Sequence, residues 1–355
     1  MAEAKALFVA NNGLDSNTCL DKDHPCRTIG KAIQNANSGD KIVVGPGHYT
    51  WESESEPGPS SCSFRCVIKV DKQLTIESRD GAAATVIDAT GHNVDVVRIE
   101  ASNVIFGQPH KGFTLTGASG GFSGLVIADG TSGVKVSGNL AIRNSGQGFT
   151  FSGSGHVLAG NIASANFFGF SVIGSGHILT GNIASSNSYG FGFSGNGHLL
   201  SGNTASANRF TGFIFSGSGH VLTNNTASAN GFHGFDVNDG SGYVLTGNSA
   251  VGNKFFGIDI RKSASATITK NNIFGNDSQP SGSFVNCGLL NQSRGTINAT
   301  NNFWGAAAGP GADPADNICN DGMGSNTTVA PFATKEFKAK SQSVPLFEEF
   351  TQLVL

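Results

Sequence analysis

The stretch GHVLAGNIASANFFGF, at residues 155–170, returns three more times in slightly altered form before residue 236. Its first asparagine recurs at intervals of 21 to 23 residues, at Asn139, Asn161, Asn182, Asn203, Asn225, Asn248 and Asn271. A second series lies five residues later, at Asn144, Asn166, Asn187, Asn208, Asn230, Asn253 and Asn276. Self-similarity at such a period is typical of a solenoid, in which each copy forms one coil and contacts its neighbours.

The apolar residues within each copy decide which solenoid the chain forms. Leucine-rich repeats need several fixed leucines per copy and this chain has one, and the abundant Gly, Ser, Asn and Phe exclude helical repeats. Apolar residues instead alternate with period two, at Phe149 and Phe151, Phe170 and Val172, Phe191 and Phe193, Phe213 and Phe215, Phe235 and Val237, and Ile258 and Ile260. Two further short strands follow in each copy, one carrying Leu158, Leu179, Leu200, Leu222, Leu245 and Ile268, the other Ala163, Ala184, Ala205, Ala227 and Ala250.

Three short strands per copy, each buried on one face, predict an all-β fold: a single-stranded, right-handed parallel β-helix solenoid. Successive coils stack about 4.8 Å apart, as neighbouring strands do in any sheet. Like residues then lie above like, so phenylalanines stack inside and turn asparagines form amide ladders.

Composition limits the class of protein. Hydrophobic residues make up 38% of the 355 residues and charged residues 13%, which is too apolar and too weakly charged for a disordered chain. No apolar run is long enough to predict a membrane span. The formal net charge of −3 gives no basic surface for nucleic acid. The expected partner is a polysaccharide or another extended ligand, and the oligomeric state is open.

The six cysteines predict an oxidising compartment, and hence a secreted, extracellular or periplasmic protein whose signal peptide has been removed. Two close pairs, Cys19 with Cys26 and Cys62 with Cys66, each bracket a short loop. Cys287 and Cys319 remain, both in the irregular C-terminal part. Free thiols in a cytosolic protein are the alternative.

Two stretches outside the repeats carry a family resemblance. NTCLDKDHPCRTIGKAIQNANSGDKIVVGPGHYT, at residues 17–50, resembles the opening segment of many secreted β-helix proteins. NNFWGAAAGPG, at residues 301–311, resembles a last-coil signature of the same proteins. The chain thus resembles the right-handed parallel β-helix, or pectate-lyase-like, superfamily. That superfamily contains lyases, hydrolases, epimerases and non-enzymes, so the resemblance is specific for the fold and not for the chemistry.

The predicted organisation has three parts. Residues 1–50 form an N-terminal cap, in which apolar residues at helical spacing between Thr28 and Asn37 predict a short amphipathic helix over the open end of the solenoid. Residues 51–311 form the coils, with a disulfide loop near 52–66. Residues 312–355 form a C-terminal tail that packs on the solenoid.

Charge is concentrated in the later coils. GFHGFDVNDG supplies His233, Asp236, Asn238 and Asp239, and FFGIDIRK supplies Asp259, Arg261 and Lys262. Asp236 and Asp259 are predicted to lie at equivalent positions on adjacent coils. Two carboxylates this close either share a proton or bind a cation, and calcium suits them; no other cofactor is expected.

The resemblance implies roles for these residues. In pectate-lyase-like enzymes, Asp residues on adjacent coils hold calcium and a nearby Arg or Lys removes a substrate proton. Asp236 and Asp259 would then be metal ligands and Arg261 or Lys262 the base. His233 is a further catalytic candidate, and Asn238 and Asp239 are candidates for substrate binding. The motif sets of polygalacturonases, alginate epimerases and pectate lyases are missing, and the alternative is a solvated face with Asp–Arg pairs.

Two ring series follow the coils. One contains His156, His177, His198 and His220, continued by Tyr243. We interpret it as a hydrogen-bonded corner ladder, with zinc or copper binding as the alternative. The other contains Phe168, Tyr189, Phe210, Phe232 and Phe256. Packing is the favoured interpretation, and a platform for a sugar or apolar ligand, with Phe232 and Phe256 as binding residues, is the alternative.

The leading functional hypothesis is a secreted, carbohydrate-active protein, most simply a lyase-like enzyme acting on an acidic polysaccharide. Hydrolysis or epimerisation is less favoured. A non-catalytic rod that binds a polysaccharide or a surface is the first alternative, and an enzyme for a small apolar substrate is the second.

Overall fold

A computed structural model describes residues 3–54, 66–261, 264–276, 284–311 and 314–338. The chain divides into two compact units with the boundary between Phe167 and Phe168. Each unit contains strands of three parallel sheets, which the chain visits in turn. Each unit is therefore built as a parallel β-helix, as the period of the asparagines predicts. Neither of the two described helices is long and apolar enough to cross a membrane.

The first unit contributes strands to all three sheets. Its sheet 1 strands are Cys66–Val70, Asp95–Ile99, Leu125–Ile127 and Gln147–Phe151. Its sheet 2 strands are Ala6–Val9, Lys41–Val44, Thr75–Ser78, Ile105–Phe106, Lys135–Ser137 and Val157–Ala159. Its sheet 3 strands are Gly47–Thr50, Thr85–Asp88, Thr114–Thr116, Leu140–Ile142 and Ile162–Ser164.

The predicted cap helix is confirmed as Ile29–Asn35, and a one-turn helix follows at Trp51–Glu54. Thr28 caps the first helix, because its hydroxyl accepts a hydrogen bond from the Lys31 N–H at 3.0 Å. Ile29, Ala32 and Ile33 are buried against the first strands of sheets 1 and 2. The helix therefore shields the apolar residues at the start of the first unit.

The second unit has longer sheets. Its sheet 1 strands are Phe168–Ser175, Tyr189–Asn196, Phe213–Ser218, Phe235–Val237, Ile258–Ile260, Cys287–Asn291 and Asn317–Asn320. Its sheet 2 strands are Ile178–Thr180, Leu199–Ser201, Val221–Thr223, Tyr243–Thr246, Ala266–Thr269, Thr296–Asn298 and Asn326–Thr328. Its sheet 3 strands are Ile183–Ser185, Thr204–Ser206, Thr226–Ser228, Ser249–Val251 and Asn272–Phe274. The predicted tail after residue 311 thus contains two further strands.

The interior of the second unit is a stack of phenylalanine rings. The Phe191 ring lies 4.7 Å from the Phe170 ring and 4.7 Å from the Phe213 ring, nearly parallel to both. These side chains are fully buried. The predicted stacking of like residues is therefore confirmed, and each ring fills the space left by its neighbours.

The asparagine ladders hold the turns. The Asn203 side-chain oxygen accepts hydrogen bonds from the Asn182 backbone N–H at 2.9 Å and from the Asn182 side-chain amide at 3.0 Å. The Asn203 amide in turn donates to the Leu179 carbonyl at 2.8 Å. All three residues are buried, so each asparagine satisfies backbone groups of the previous coil that water cannot reach.

The ladders continue beyond the repeats that the sequence displays. The first ladder ends with Asn302, whose oxygen accepts the Asn271 N–H at 2.8 Å. The second ends with Asp316, whose carboxylate accepts the Asn276 side-chain amide at 2.8 Å. Asn302 belongs to the NNFWG segment, and the following Trp304 is fully buried. This segment therefore continues the stack beyond the repeats, and two further strands follow it.

A glycine precedes the inward phenylalanine of each coil because the next coil passes close by. At Gly212, a Cβ atom would lie 2.8 Å from the Asn230 side-chain nitrogen and 2.9 Å from the Gly234 carbonyl oxygen. Neither neighbour can retreat without breaking the ladder or the sheet. Only glycine fits at this position.

Two of the three predicted disulfides are confirmed, Cys19–Cys26 and Cys287–Cys319. Cys62 lies outside the described residues, so its pairing with Cys66 stays a prediction. Persistent disulfides favour an oxidising compartment.

Replacement of Phe191 by alanine should lower the free energy of unfolding by about 3–5 kcal/mol, because the cavity lies between two packed rings. Denaturant melts measure this loss. Leu199→Ala is the control, since that side chain is 45% exposed and should lose less than about 1 kcal/mol. A similar loss in both variants would contradict the assigned register.

Asn203→Ala should lower the free energy of unfolding by at least about 3 kcal/mol. It removes the hydrogen bonds that Asn203 makes with the buried Asn182 N–H, the Asn182 side-chain amide and the Leu179 carbonyl. The matched control is Asn196→Ala, an exposed asparagine whose oxygen accepts the Ser218 N–H. Chemical denaturation of both variants provides the comparison. Equal losses would show that the ladder contributes no more than a surface hydrogen bond.

Candidate functional site

The later coils of the second unit bring charged residues together on the outer face of sheet 1. Asp236 pairs in register with Asp259 on the next strand, and Ile214 and Leu290 flank this pair in the same column. The predicted placement of the two aspartates on adjacent coils is therefore confirmed. The outward positions alternate with the buried Phe235, Val237, Ile258 and Ile260.

The two carboxylates are buried although they face outward. Asp236 is 4% exposed and Asp259 2% exposed. A solvated face with Asp–Arg pairs was the alternative interpretation; the pairing forms, but the carboxylates are not solvated. Burying two carboxylates on neighbouring strands is costly unless each has a compensating partner.

Arg261 provides that partner for Asp236. Its Nε donates to Asp236 Oδ1 at 2.8 Å and its Nη2 donates to Asp236 Oδ2 at 2.7 Å. The same Nε lies 3.5 Å from Asp259 Oδ2. The fork geometry holds the guanidinium in place, while 43% of the Arg261 side chain remains exposed. Arg261 is thus the accessible part of the cluster.

Asp259 has weaker partners than Asp236. Gln292 donates to Asp259 Oδ1 at 2.9 Å. His233 Nε2 lies 3.8 Å from Asp259 Oδ2, which is too far for a hydrogen bond. Asp259 therefore faces one amide, one neutral ring and a guanidinium that is already committed to Asp236.

These environments separate the acidities of the groups. Burial, reinforced by the charge of Asp236, raises the pKa of Asp259 to about 7. Burial also raises the pKa of Asp236, but the hydrogen bonds from Arg261 oppose this shift and favour the ionised form. Burial, followed by the charge of Arg261, lowers the pKa of His233 to about 3, so its imidazole is neutral. Near neutral pH, Asp259 is therefore the group of this cluster that gains and loses a proton.

The position of Arg261 changes its expected role. The hydrogen bonds to Asp236, followed by the charges of both aspartates, raise the pKa of its guanidinium further, so it is a fixed cation rather than a base in this arrangement. The alternative base, Lys262, lies outside the described residues. The group with the acidity of a proton acceptor near neutral pH is Asp259.

The arrangement does not favour the expected calcium site. Both Asp236 oxygens accept hydrogen bonds from Arg261, and Asp259 Oδ1 accepts one from Gln292. Among the described residues, no group of three or more His, Cys, Asp or Glu side chains is placed to hold a metal ion. Calcium binding by Asp236 and Asp259 stays a prediction, and no chemical step below depends on it.

The aromatic series in the turn differs from the prediction. From Asn208 onward the turn is one residue longer, so the residues before the glycine become Thr211, His233 and Phe256, aligned by backbone hydrogen bonds. Phe256 therefore stacks on His233, at 5.0 Å, and Phe232 contacts Phe255, at 4.4 Å. The prediction that Phe256 follows Phe232 in one stack was wrong, because the insertion places Phe255 beside Phe232 and aligns Phe256 with His233.

The remaining rings of this series cover one another. Phe168 and Tyr189 stack at 4.7 Å, and Tyr189 and Phe210 at 5.0 Å. Because their faces point at each other along the stack, they offer edges to solvent rather than the open faces on which sugars pack. Packing, the favoured interpretation, agrees with this geometry.

The other two candidate binding residues lie at the edge of the cluster. Asn238 is half-buried and follows Val237, in the outward row that Arg261 continues. Asp239 is exposed and its Oδ1 accepts the Gly217 N–H at 2.7 Å. Asp239 therefore supports a turn and is not directed at the carboxylate pair.

The histidine ladder is structural, as interpreted. The His177 N–H donates to His198 Nδ1 at 3.3 Å, and the His198 N–H donates to His220 Nδ1 at 3.2 Å. The rings stack 5.1 and 4.9 Å apart and are fully buried. Burial lowers the pKa of His177 and His220, and that of His198 to about 3, so the ladder is neutral.

The sequence analysis did not identify two features of the structure. Gln292 lies after the last repeat that the sequence displays, and only its position two residues after the buried Leu290 indicates that it continues the outward row. A second charged cluster lies in the first unit, where Glu100 receives a hydrogen bond from Arg98 at 2.8 Å and an ion pair from Lys69 at 3.4 Å. Its charges are mutually paired and half-exposed.

Comparison with known proteins places the fold. The right-handed β-helix region family matches residues 161–304. The chain is a right-handed parallel β-helix protein. No curated protein matches it in sequence.

Three solved structures share the architecture of this β-helix protein. The A-module of the Azotobacter vinelandii mannuronan C-5 epimerase AlgE6 has 16% identity and a TM-score of 0.64, with 86% of this chain and 93% of that chain covered. Pectate lyase Pel9A has 18% identity and a TM-score of 0.55, with coverage of 80% and 82%. The Dettilon tailspike protein has 14% identity and a TM-score of 0.61, with coverage of 82% and 64%. At these identities the similarity concerns the fold.

Asp259 should make stability depend on pH in a defined direction. Its pKa is about 7 in the folded protein and about 3.9 in an unfolded chain. The resulting stabilisation is complete below about pH 4 and is lost as pH rises to about 7. The melting temperature of Asp259→Asn relative to the wild type should therefore rise across this range.

The quantity to compare is the difference in melting temperature between Asp259→Asn and the wild type. His233, whose pKa is lowered, makes the stability of both proteins rise with pH, and the difference removes this shared contribution. Thermal melts at intervals across the range provide the measurement. Asp129→Asn, which replaces an exposed aspartate bonded to the Gly130 N–H, is the control variant measured alongside. A constant difference for Asp259→Asn would mean that Asp259 titrates normally.

Proposed function

We propose that this protein is a secreted, carbohydrate-active enzyme that cleaves an acidic polysaccharide by elimination. The observation that carries the proposal is the buried Asp236–Asp259 pair on adjacent strands, clamped by a half-exposed Arg261. The disulfides support secretion, and the similarity of the fold to a mannuronan C-5 epimerase and a pectate lyase supports a polyuronate as the substrate class.

Elimination from a uronate requires three things. A base must remove the proton at C5, a cation must stabilise the charge that spreads onto the neighbouring carboxylate, and the leaving oxygen at C4 must receive a proton. The C5–H electron pair becomes the C4–C5 double bond as the C4–O bond breaks. Positioned proton transfer and a fixed positive charge lower this barrier.

The cluster contains groups suited to each task. The exposed edge of Arg261 can bind the substrate carboxylate, and Asp236 holds that guanidinium in a fixed orientation. Asp259 in its ionised form accepts the C5 proton. Since its pKa is about 7, it can then return the proton to the leaving oxygen.

Hydrolysis by the carboxylate pair fits the geometry less well. In glycosidases the two carboxyl groups flank the scissile bond, with the sugar between them. Here both carboxylates face the same guanidinium, which lies 2.7 Å from Asp236 and 3.5 Å from Asp259. No space for a sugar ring remains between them, and elimination is therefore the reaction we favour.

Incubation with polygalacturonate and with mannuronan tests the proposal. Elimination yields an unsaturated product that absorbs in the near ultraviolet. Asp259→Asn should reduce kcat at least about 100-fold, as expected for loss of a general base. Arg261→Gln should reduce kcat/KM by a comparable factor, because it removes charge stabilisation in the transition state.

Asp129→Asn, the exposed aspartate in the first unit, is the matched control and should retain full activity. Turnover that survives in Asp259→Asn would reject the assigned base. Binding of polyuronates without turnover would support the alternative of a non-catalytic binding protein. An increase in reducing ends without ultraviolet absorbance would indicate hydrolysis instead.

A further inference from the structure

His233 is a buried imidazole without adequate partners. Its side chain is 4% exposed. Its Nδ1 has no hydrogen-bond partner, and its Nε2 lies 3.8 Å from Asp259 Oδ2. Buried polar atoms are nearly always paired, and an orphaned one costs about 1–3 kcal/mol, so this ring requires an explanation.

The histidine ladder provides a comparison within the same unit. His220 is as buried as His233, but its Nδ1 accepts the His198 N–H at 3.2 Å and its Nε2 lies 3.4 Å from the Ser216 carbonyl oxygen. The fold can therefore bury an imidazole and pair both of its nitrogens, as at His220, although Nε2 of the neighbouring His198 is also unpaired. His233 lacks these contacts and lies in the turn before the strand Phe235–Val237.

Aromatic neighbours hold His233 in place. Its ring stacks on Phe256 at 5.0 Å and 13°, and Phe232 and Phe255 contact it at 4.1 and 6.1 Å with tilted planes. A phenylalanine would make the same contacts. Packing therefore explains an aromatic ring at position 233 and does not explain a polar one.

The position of the ring points to a ligand. The insertion that begins after Asn208 places His233 beside the carboxylate pair, with its Nε2 3.8 Å from the same Asp259 oxygen that Arg261 approaches to 3.5 Å. The half-buried rings of Phe232 and Phe255 contact it from the side of the turn. A group that enters beside Arg261 with a hydroxyl could pair with the orphaned nitrogen.

We infer that His233 is a ligand-binding residue, whose Nδ1 is left unpaired in the free protein and forms a hydrogen bond with a hydroxyl group of a saccharide bound at Arg261. The identity of the ligand rests on the proposed function. The stability argument does not, because it depends only on the unpaired nitrogen.

His233→Phe tests the stability argument. Removing an unsatisfied buried polar atom while keeping the ring contacts should leave the melting temperature unchanged or raise it. His220→Phe is the matched control and should lower the melting temperature, because it leaves the His198 N–H unpaired. A fall in His233→Phe as large as in His220→Phe would overturn the inference and make His233 a structural residue.

Calorimetric titration with oligogalacturonate and oligomannuronate tests the binding argument. His233→Phe should weaken binding at least about tenfold, the effect of losing one hydrogen bond to a buried group. His233→Asn, which keeps a polar atom near the position of Nδ1, should recover part of that loss. Unchanged affinity in His233→Phe would overturn the inference.

Failure of the proposed function gives a different pattern. A wild-type protein that binds these oligomers tightly but cleaves none of them would reject the enzyme and leave the role of His233 supported. A wild-type protein that binds neither oligomer would overturn the saccharide assignment, whatever the melting temperatures show.

Discussion

The hydrogen bond from one turn asparagine to the next is the interaction on which the fold depends. Each asparagine oxygen accepts two N–H groups of the previous coil, and each amide donates to a carbonyl there, as at Asn203. The turn residue before each asparagine of the second ladder must adopt a left-handed conformation, even where it is an alanine, as at Ala207 (φ 52°) and Ala229 (φ 53°). Such residues persist only where the surrounding structure holds them, and the ladder does so.

The same regularity made the fold predictable from the sequence. A stacking interaction that requires the same side chain in each coil repeats that residue at each coil, so the phenylalanine, leucine, alanine and asparagine columns could be predicted before the strands were known. The aromatic turn series could not, because one inserted residue after Asn208 leaves the pattern of letters similar and changes which residue faces which. His233 and Phe256 align only when backbone hydrogen bonds fix the register.

The candidate site was predictable in part for the same reason. Asp236 and Asp259 occupy a strand position whose register the buried neighbours enforce, so their proximity followed from the period. The burial of these two aspartates could not be predicted from the period, because it depends on side chains from several coils. The hydrogen bond from Gln292 could not be predicted from the period either, since Gln292 lies outside the regular spacing of the repeats. Contacts within the period could be predicted, and contacts across irregular loops could not.

A rigid ladder also explains how the site tolerates its own electrostatics. The two buried carboxylates repel each other. The Arg261 guanidinium hydrogen-bonds Asp236 at 2.7 Å but lies 3.5 Å from Asp259. In a flexible loop the side chains would separate or turn to water. Here the strands fix their spacing at the distance between neighbouring strands, so burial, followed by the charge of Asp236, raises the pKa of Asp259 to about 7. The unusual acidity of Asp259 is therefore a consequence of its place in the stack, and an aspartate at an exposed turn would not share it.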